Sequence, residues 1–417
     1  MQPKSAAAGQ RGKRIRSDCW INLIPGDAGG IRIDLQSKVE VLYGESIRLL
    51  VNEMMAFFGI EHATLEIEDS GAVPFVIMAR VEAAVRRLDL DKGKQYLPDW
   101  NGSPPPSRRE RFRRSRLYLP GDQPKLFLNA AIHGADGLIL DLEDSVAPDT
   151  KADARILVRN ALRAMDFMGA ERMVRINQLP LGLEDLEMVV PQKVDMILVP
   201  KVETPAQLFE VERKIDEIQA SGDVDPERPV FLMPIVESAK GVVNAPLIAS
   251  ASERIAALAI GLEDYTADIG TRRTSEGRES FFARSMLVNA ARATGIQAID
   301  TVFSDVADME GLRESVLEAR SLGFDGKGCI HPRQIAVIHR AMAPEAAEVE
   351  RAQRIVLAFE AAGKSGRGVV SLGSKMIDPP VVKRALRTID IAEKEGLLPP
   401  DWRNGADSGE VESGGEQ

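Results

Sequence analysis

A chain of 417 residues with 44% hydrophobic and 28% charged residues is globular rather than disordered, and longer than one barrel requires. A formal net charge of −10 offers nucleic acid no broad basic face, and two cysteines are too few for a disulfide framework or a thiolate metal site. No apolar run approaches the roughly 20 residues of a membrane span, and MQPKSAAAGQRGKR has no apolar core for a signal peptide, so a reducing cytoplasm is expected.

Residues 1–95 predict a small α+β domain. Ser46–Phe58 places Ile47, Leu50, Val51, Met54, Met55 and Phe58 at helical spacing, and alternating segments flank it at Ile31–Leu35, Ala63–Ile67 and Phe75–Val81. Residues 96–112 predict a linker. The triple proline Pro104–Pro106 should hold it extended as a semi-rigid spacer, followed by the basic run RRERFRRSR at 108–116. That run is a solvated basic segment or a contact for CoA phosphates.

From 113 to 343 the chain alternates between short apolar runs and helical stretches, eight times over. The runs are Leu117–Leu119, Gly137–Leu142, Met173–Ile176, Met196–Val199, Val230–Val236, Ile255–Ile260, Ala298–Phe303 and Lys327–Ile330. Such an alternation predicts a (β/α)8 TIM barrel with its chemistry at the C-terminal ends of the strands. Residues 344–402 predict a C-terminal helical extension, broken at GKSGRGVVSLGSKMIDPP. Its GKSG at 363–366 lacks the strand and helix of a phosphate loop and predicts a turn. The acidic, low-complexity tail 403–417 predicts disorder.

Glu237 and Asp264 end the fifth and sixth strand runs, so neighbouring strands bring both carboxylates to one rim. Two carboxylates with open positions suit a hard, water-keeping ion such as Mg2+, whereas the alternative is that they cap the helices starting at Ser238 and Thr266. With four histidines and no HExxH spacing, any metal should be held by oxygen. Arg175 ends the third run, and its partner is either a substrate carboxylate or the neighbouring Glu143 or Asp144. Asp141, Glu143 and Asp144 are too many acids at one strand end for packing, and can support metal waters or ligate directly. Lys201 reads as a structural ion pair and His331 as a hydrogen-bonded structural residue.

In order along the chain, RRSRLYLPG, LILDLEDSVAPDTK, MVRIN, MILVPKVET, PIVESAKG, GLEDYTADIG, GFDGKGCIHPRQI and KMIDPPV resemble the citrate lyase β-chain family. That family lies within the HpcH/HpaI aldolase group, which also holds malyl-CoA and citramalyl-CoA lyases. The resemblance implies that Glu237 and Asp264 are Mg2+ ligands and that Arg175 holds a substrate carboxylate. It implies that Asp378 is supplied to the site by a neighbouring subunit of a homo-oligomer, a trimer or hexamer. IDLQSKVEVLYGESIRLLVNEMMAFFGI and LEIEDSGAVPFVIMARVEAAVRRL resemble the acyl carrier (γ) chain of citrate lyase, whose serine carries phosphoribosyl-dephospho-CoA. Here GKRIRSDCW puts Arg16 where that serine is expected and Ser17 one residue later. Either Ser17 takes the arm or the domain has lost it.

The implied activity is that of a carbon–carbon oxo-acid lyase cleaving a citryl thioester to an acetyl thioester and oxaloacetate. A citrate lyase α (transferase) subunit is the implied partner. A lyase for free malyl-CoA or citramalyl-CoA with a degenerate carrier domain is the alternative. A noncatalytic scaffold is a third reading, which the set of costly buried charges opposes.

Overall fold

The computed structural model describes residues 5–102, 104–221, 225–364, 370–372, 375–399 and 401–405. Residues 1–338 form one compact unit and residues 339–417 another.

The first unit opens with a four-stranded sheet of β1 (Ala6–Gly9), β2 (Cys19–Pro25), β3 (Ile31–Ser37) and β4 (Ala63–Asp69), in the order β1-β2-β4-β3. Only β3 and β4 run parallel, joined by the crossover helix α1 (Glu40–Phe58). Ile47, Val51, Met54, Met55 and Phe58 line the buried stripe of α1, as their spacing predicts.

Phe75–Val81, expected as an alternating segment, is instead part of helix α2 (Pro74–Arg87). Its apolar run is continuous because α2 buries every residue from Phe75 to Val85 except Met78, between the sheet and a barrel helix. A short, unbroken apolar run does not tell a buried helix from a strand.

Eight parallel strands then close a barrel: β5 (Ser115–Pro120), β6 (Gly137–Asp141), β7 (Glu171–Arg175), β8 (Met196–Val199), β9 (Phe231–Val236), β10 (Ala257–Ile260), β11 (Gln297–Asp300) and β12 (Gly326–Cys329). The register closes where Gly328 of β12 pairs with Arg116 of β5. Ile139, Met173, Met196, Leu198, Met233, Ile235, Ala259 and Ile299 form the interior core.

The segment between the small sheet and the barrel is clamped to the closed, N-terminal end of the barrel. Trp100 stacks under Arg163 at 4.3 Å and Lys193 at 4.4 Å, and Arg228 donates to the carbonyls of Pro104 and Pro105. Arg113 is fully buried and forks onto Glu171 at the start of β7, with both contacts at 2.7 Å. Arg109 and Arg111 donate to carbonyls at the same end, and Arg114 pairs with Asp136 at 2.8 Å. These arginines therefore cannot serve as CoA contacts at the mouth.

The small sheet and barrel also meet through charge. Glu82 of α2 and Arg159 of the helix Lys151–Ala164 are both fully buried and pair through two contacts, at 2.7 and 2.8 Å. Arg87 forks onto Asp153 of the same helix.

In the second unit, helix Ala346–Lys364, the strand pair Val370–Leu372 and Lys375–Ile377, and helix Pro379–Lys394 enclose a core that includes Val356, Ile377, Val382, Ile389 and Trp402. The GKSG segment and the acidic tail lie largely outside the described residues.

Candidate active site

The C-terminal ends of the barrel strands surround a cavity of about 480 Å³ that contains Tyr118, Asp141, Arg175, Glu237 and Asp264. Arg175, Glu237, Asp264 and Asp144, all expected at the site, thus share one pocket, on the face where barrels carry chemistry.

Glu237 follows β9 and is 6% exposed. Its Oε1 accepts from the backbone N–H of Lys201 at 2.7 Å, which Lys201 can offer because its backbone is left-handed, at φ 50. The helix after it is capped by Ser238, whose Oγ accepts from Gly241, so Glu237 is not a cap. Gly261, at the end of β10, leaves the room it needs: a Cβ there would lie 2.4 Å from Oε2 of Glu237.

No ion pair reaches Glu237 among the described residues. Burial, with repulsion from Asp264 and Glu143, raises its carboxyl to about 8 despite the Lys201 hydrogen bond. Asp264 is exposed in the first turn of the helix Leu262–Asp268. Among the described residues, no cluster of three or more His, Cys, Asp or Glu side chains is set to hold a metal. A buried carboxylate lacking a counter-charge beside a second carboxylate fits an ion that fills its other positions with water or substrate oxygens.

Arg175 is a forked partner rather than a free cation. Its Nε and Nη2 donate to Asp141 at 2.6 and 2.7 Å, and Nη1 lies 2.9 Å from Glu143. The Glu143 contact is an ion pair without a hydrogen bond, so N–H groups on both terminal nitrogens are left for another acceptor. Although burial alone would lower both charges, the pair holds Asp141 below and Arg175 above its usual range. Glu143 is buried, accepts from Gln178, and lies 3.4 Å from Lys201. Asp144 is largely exposed, 3.8 Å from Lys201. Lys201 is therefore the structural ion pair that its strand-end position predicts. The acid that grips Arg175 most closely is Asp141, where sequence pointed to Glu143 or Asp144. Alternation already puts Asp141 on the inward face, two residues beyond Ile139.

His331 accepts from the backbone N–H of Arg333 through Nδ1, as a structural residue would. Tyr118, which sequence reasoning missed, lies with its ring 5.3 Å from the Arg175 guanidinium carbon.

Ser17 occupies a turn before β2 with φ 56, and its N–H donates to Ser70. Beside it Asp18 is buried against Arg80, whose Nη2 reaches the carbonyl of Asp122 in the loop after β5. Asp378 lies in the second unit, half-buried, and caps the helix Pro379–Lys394 by accepting from Val381.

Glu237 also sets a pH dependence. Its folded value of about 8 lies above the ordinary 4.5, so the folded state retains a proton that the unfolded chain releases between those values. This contribution is complete below about pH 4.5 and is lost as pH rises through 8. In EDTA, the melting temperature should fall from pH 5 to pH 9, and Glu237→Gln should flatten that fall, regaining up to about 5 kcal/mol at pH 9. Parallel melting curves for the two proteins would return Glu237 to an ordinary solvated carboxylate.

The model of the HpcH/HpaI aldolase/citrate lyase family matches residues 114–332, and that of the malonate decarboxylase delta subunit (MdcD) matches residues 5–88. The chain is 41% identical to citrate lyase subunit beta of Leuconostoc mesenteroides subsp. cremoris over 294 residues, covering 69% of this chain and 96% of that one. It is 32% identical to mitochondrial citramalyl-CoA lyase of Homo sapiens over 292 residues, covering 67% and 85%. Among solved structures, CitE of Mycobacterium tuberculosis in complex with magnesium, acetoacetate and coenzyme A aligns with a TM-score of 0.56 at 32% identity, covering 68% of this chain and 99% of that one. A match that runs from the first barrel strand past the last, with relatives aligned over nearly their whole length, makes this chain a member of the HpcH/HpaI aldolase/citrate lyase family.

Proposed function

We propose that the chain is a Mg2+-dependent carbon–carbon lyase acting on a 3-hydroxyacyl thioester, citryl thioester first. The observation that carries this reading is the buried, unneutralised Glu237 beside Asp264, in the same cavity as Arg175. Glu237 and Asp264 would hold the ion, which when bound lowers the pKa of the substrate hydroxyl and polarises the carbonyl that forms. The free N–H groups of Arg175 would hold the carboxylate on the hydroxyl-bearing carbon, with Asp141 and Glu143 fixing the guanidinium. Tyr118 packs beneath it.

Cleavage breaks the bond between the hydroxyl-bearing carbon and the thioester α-carbon. Its electron pair goes to the thioester as an enolate while the hydroxyl loses its proton. One proton then returns to the α-carbon, so no oxidant or reductant is needed. Asp378 is the proposed donor, supplied by a neighbouring subunit of a trimer or hexamer.

The relatives include lyases named for citramalyl-CoA and malyl-CoA, which supports a second reading as a free-CoA-thioester lyase. The clamped carrier-like domain favours it too, because a carrier works by moving. If the chain works with carrier-bound substrate, Ser17 would bear the phosphoribosyl-dephospho-CoA arm and a citrate lyase α subunit would load it. Intact-mass measurement of protein from its native host separates the two by the presence or absence of that adduct. No helix among the described residues is long and apolar enough to cross a membrane.

The test supplies citryl-CoA, malyl-CoA and citramalyl-CoA and follows the oxo acid released. Cleavage of at least one should require Mg2+, stop in EDTA, and fall sharply in Glu237→Gln and Asp264→Asn while both variants stay folded. Equal turnover in chelator would sink the metal role, and no turnover of any substrate would sink the lyase.

A further inference from the structure

One fully buried charge in the barrel is left unused by the chemistry above. Along β5, Arg116, Tyr118 and Pro120 line the cavity, while Leu117 and Leu119 pack on the outer side. Arg116 is therefore one layer below Tyr118, roughly 7 Å further from the mouth. Its neighbours in register on both sides are glycines, Gly137 of β6 and Gly328 of β12. A Cβ on Gly137 would come within 2.6 Å of Met173 and 3.5 Å of Arg116 itself, and one on Gly328 within 2.7 Å of Val302. The wall is thinned on either side of one long side chain.

That side chain is 1% exposed, and no carboxylate pairs with it among the described residues. Its Nη1 meets only the sulfur of Met233, at 3.0 Å, and its Nε has no hydrogen-bond partner among the described residues. The nearby Asp300 is already taken by Lys327 at 2.8 Å and Arg284 at 3.0 Å. Other buried arginines have what Arg116 lacks. Arg113 has Glu171, Arg159 has Glu82, and Arg172 has the carbonyls of Lys193 and Gln192. Burial accordingly pulls the Arg116 guanidinium below its usual range. A buried cation without a partner is expensive, and it is tolerated where a ligand brings the missing anion.

The cavity thus has two cations at two depths. Arg175 at the rim is largely neutralised by Asp141 and Glu143, whereas Arg116 at the floor is not. We propose that Arg116 is a specificity-determining residue that receives a second carboxylate of the acyl group. This rests on the lyase reading and names its substrate class: a 3-hydroxyacyl thioester with two free carboxylates. A citryl group has one carboxylate on the hydroxyl-bearing carbon and another on a methylene arm. A citramalyl group has a methyl in place of that arm, and a malyl group a hydrogen. Only the first can satisfy Arg175 and Arg116 together.

Arg116→Met suits the apolar layer and should raise the melting temperature, so folding is not the obstacle. The variant should lose roughly 100-fold in kcat/KM for citryl-CoA, because the arm's carboxylate then meets an apolar floor, and change little for citramalyl-CoA. Arg116→Lys should recover part of the loss. Equal losses for both substrates, or none for either, would overturn the assignment.

Binding tests the proposal even if neither thioester is cleaved. Wild-type protein with Mg2+ should bind oxaloacetate at least tenfold more tightly than pyruvate, and Arg116→Met should erase the difference. Failure of the lyase reading alone would leave that preference intact. An unchanged preference in Arg116→Met would count against Arg116 whatever the activity.

Discussion

Arg159→Met should cost the protein roughly 3–5 kcal/mol, the penalty for stranding one partner of a buried ion pair. Glu82 would keep only Arg86 and the backbone N–H of Tyr96, and it has no exposure to water. The loss should appear as a lower melting temperature together with faster proteolysis within residues 91–112, because the same helix anchors both α2 and that connecting segment. Adding Glu82→Gln should destabilise further by less than its single-mutant cost, since the second change removes a charge already stranded. A loss below about 1 kcal/mol, the range of exposed pairs, would mean that apolar packing alone joins the carrier-like domain to the barrel. The outcome bears on function, since a domain bolted to the barrel by Glu82–Arg159 and Arg87–Asp153 does not swing as a carrier. Any arm on Ser17 would have to reach from a fixed point.

The barrel was legible because its strands are buried on both faces and read as short apolar runs, a pattern that punctuation by Gly, Pro and Asp made countable. Met196–Val199 agrees to the residue, three further ends (Gly137, Val236 and Ile260) coincide, and the rest shift by one to three positions. The small domain was less legible. CWINLIP alternates buried and half-buried residues as an interior strand with one covered face should, but a basic segment before it masks the pattern, and FVIMARV has no polar face because its helix is buried all round.

At the site, strand-end position was enough to bring Glu237, Asp264 and Arg175 into one cavity. The partners that give them their character were hidden for a physical reason. Lys201 reaches Glu237 through its backbone, in a conformation that its side chain does not announce. Arg116 sits inside a basic run in which Arg109, Arg111, Arg113 and Arg114 bind carbonyls and acids at the closed end. Its place inside β5, one layer below Tyr118, separates it from them. The basic run looked solvated because composition does not record which carbonyls and acids wait at the barrel's base.

Arg175→Lys should be nearly as damaging as Arg175→Ala, with activity down roughly 100-fold, because misorientation alone reaches that size. Lysine keeps the charge but is a point donor on a flexible stem. It cannot span both oxygens of Asp141, approach Glu143, and still present two parallel N–H groups to a substrate carboxylate. Whichever contact it keeps, another buried acid is left short. The lysine variant should therefore lose stability as well, since Asp141 and Glu143 are each 2% exposed. The two losses separate by substrate. If Arg175 only braces Asp141, substrates with and without the carboxylate on the hydroxyl-bearing carbon should suffer alike. If it also holds that carboxylate, the fall in kcat/KM should belong to carboxylate-bearing thioesters, and the poor rate of a 3-hydroxyacyl-CoA lacking the group should hardly change. Near-wild-type turnover of citryl-CoA in a folded Arg175→Lys protein would leave the arginine as a brace for two acids and would require another group to orient the breaking bond.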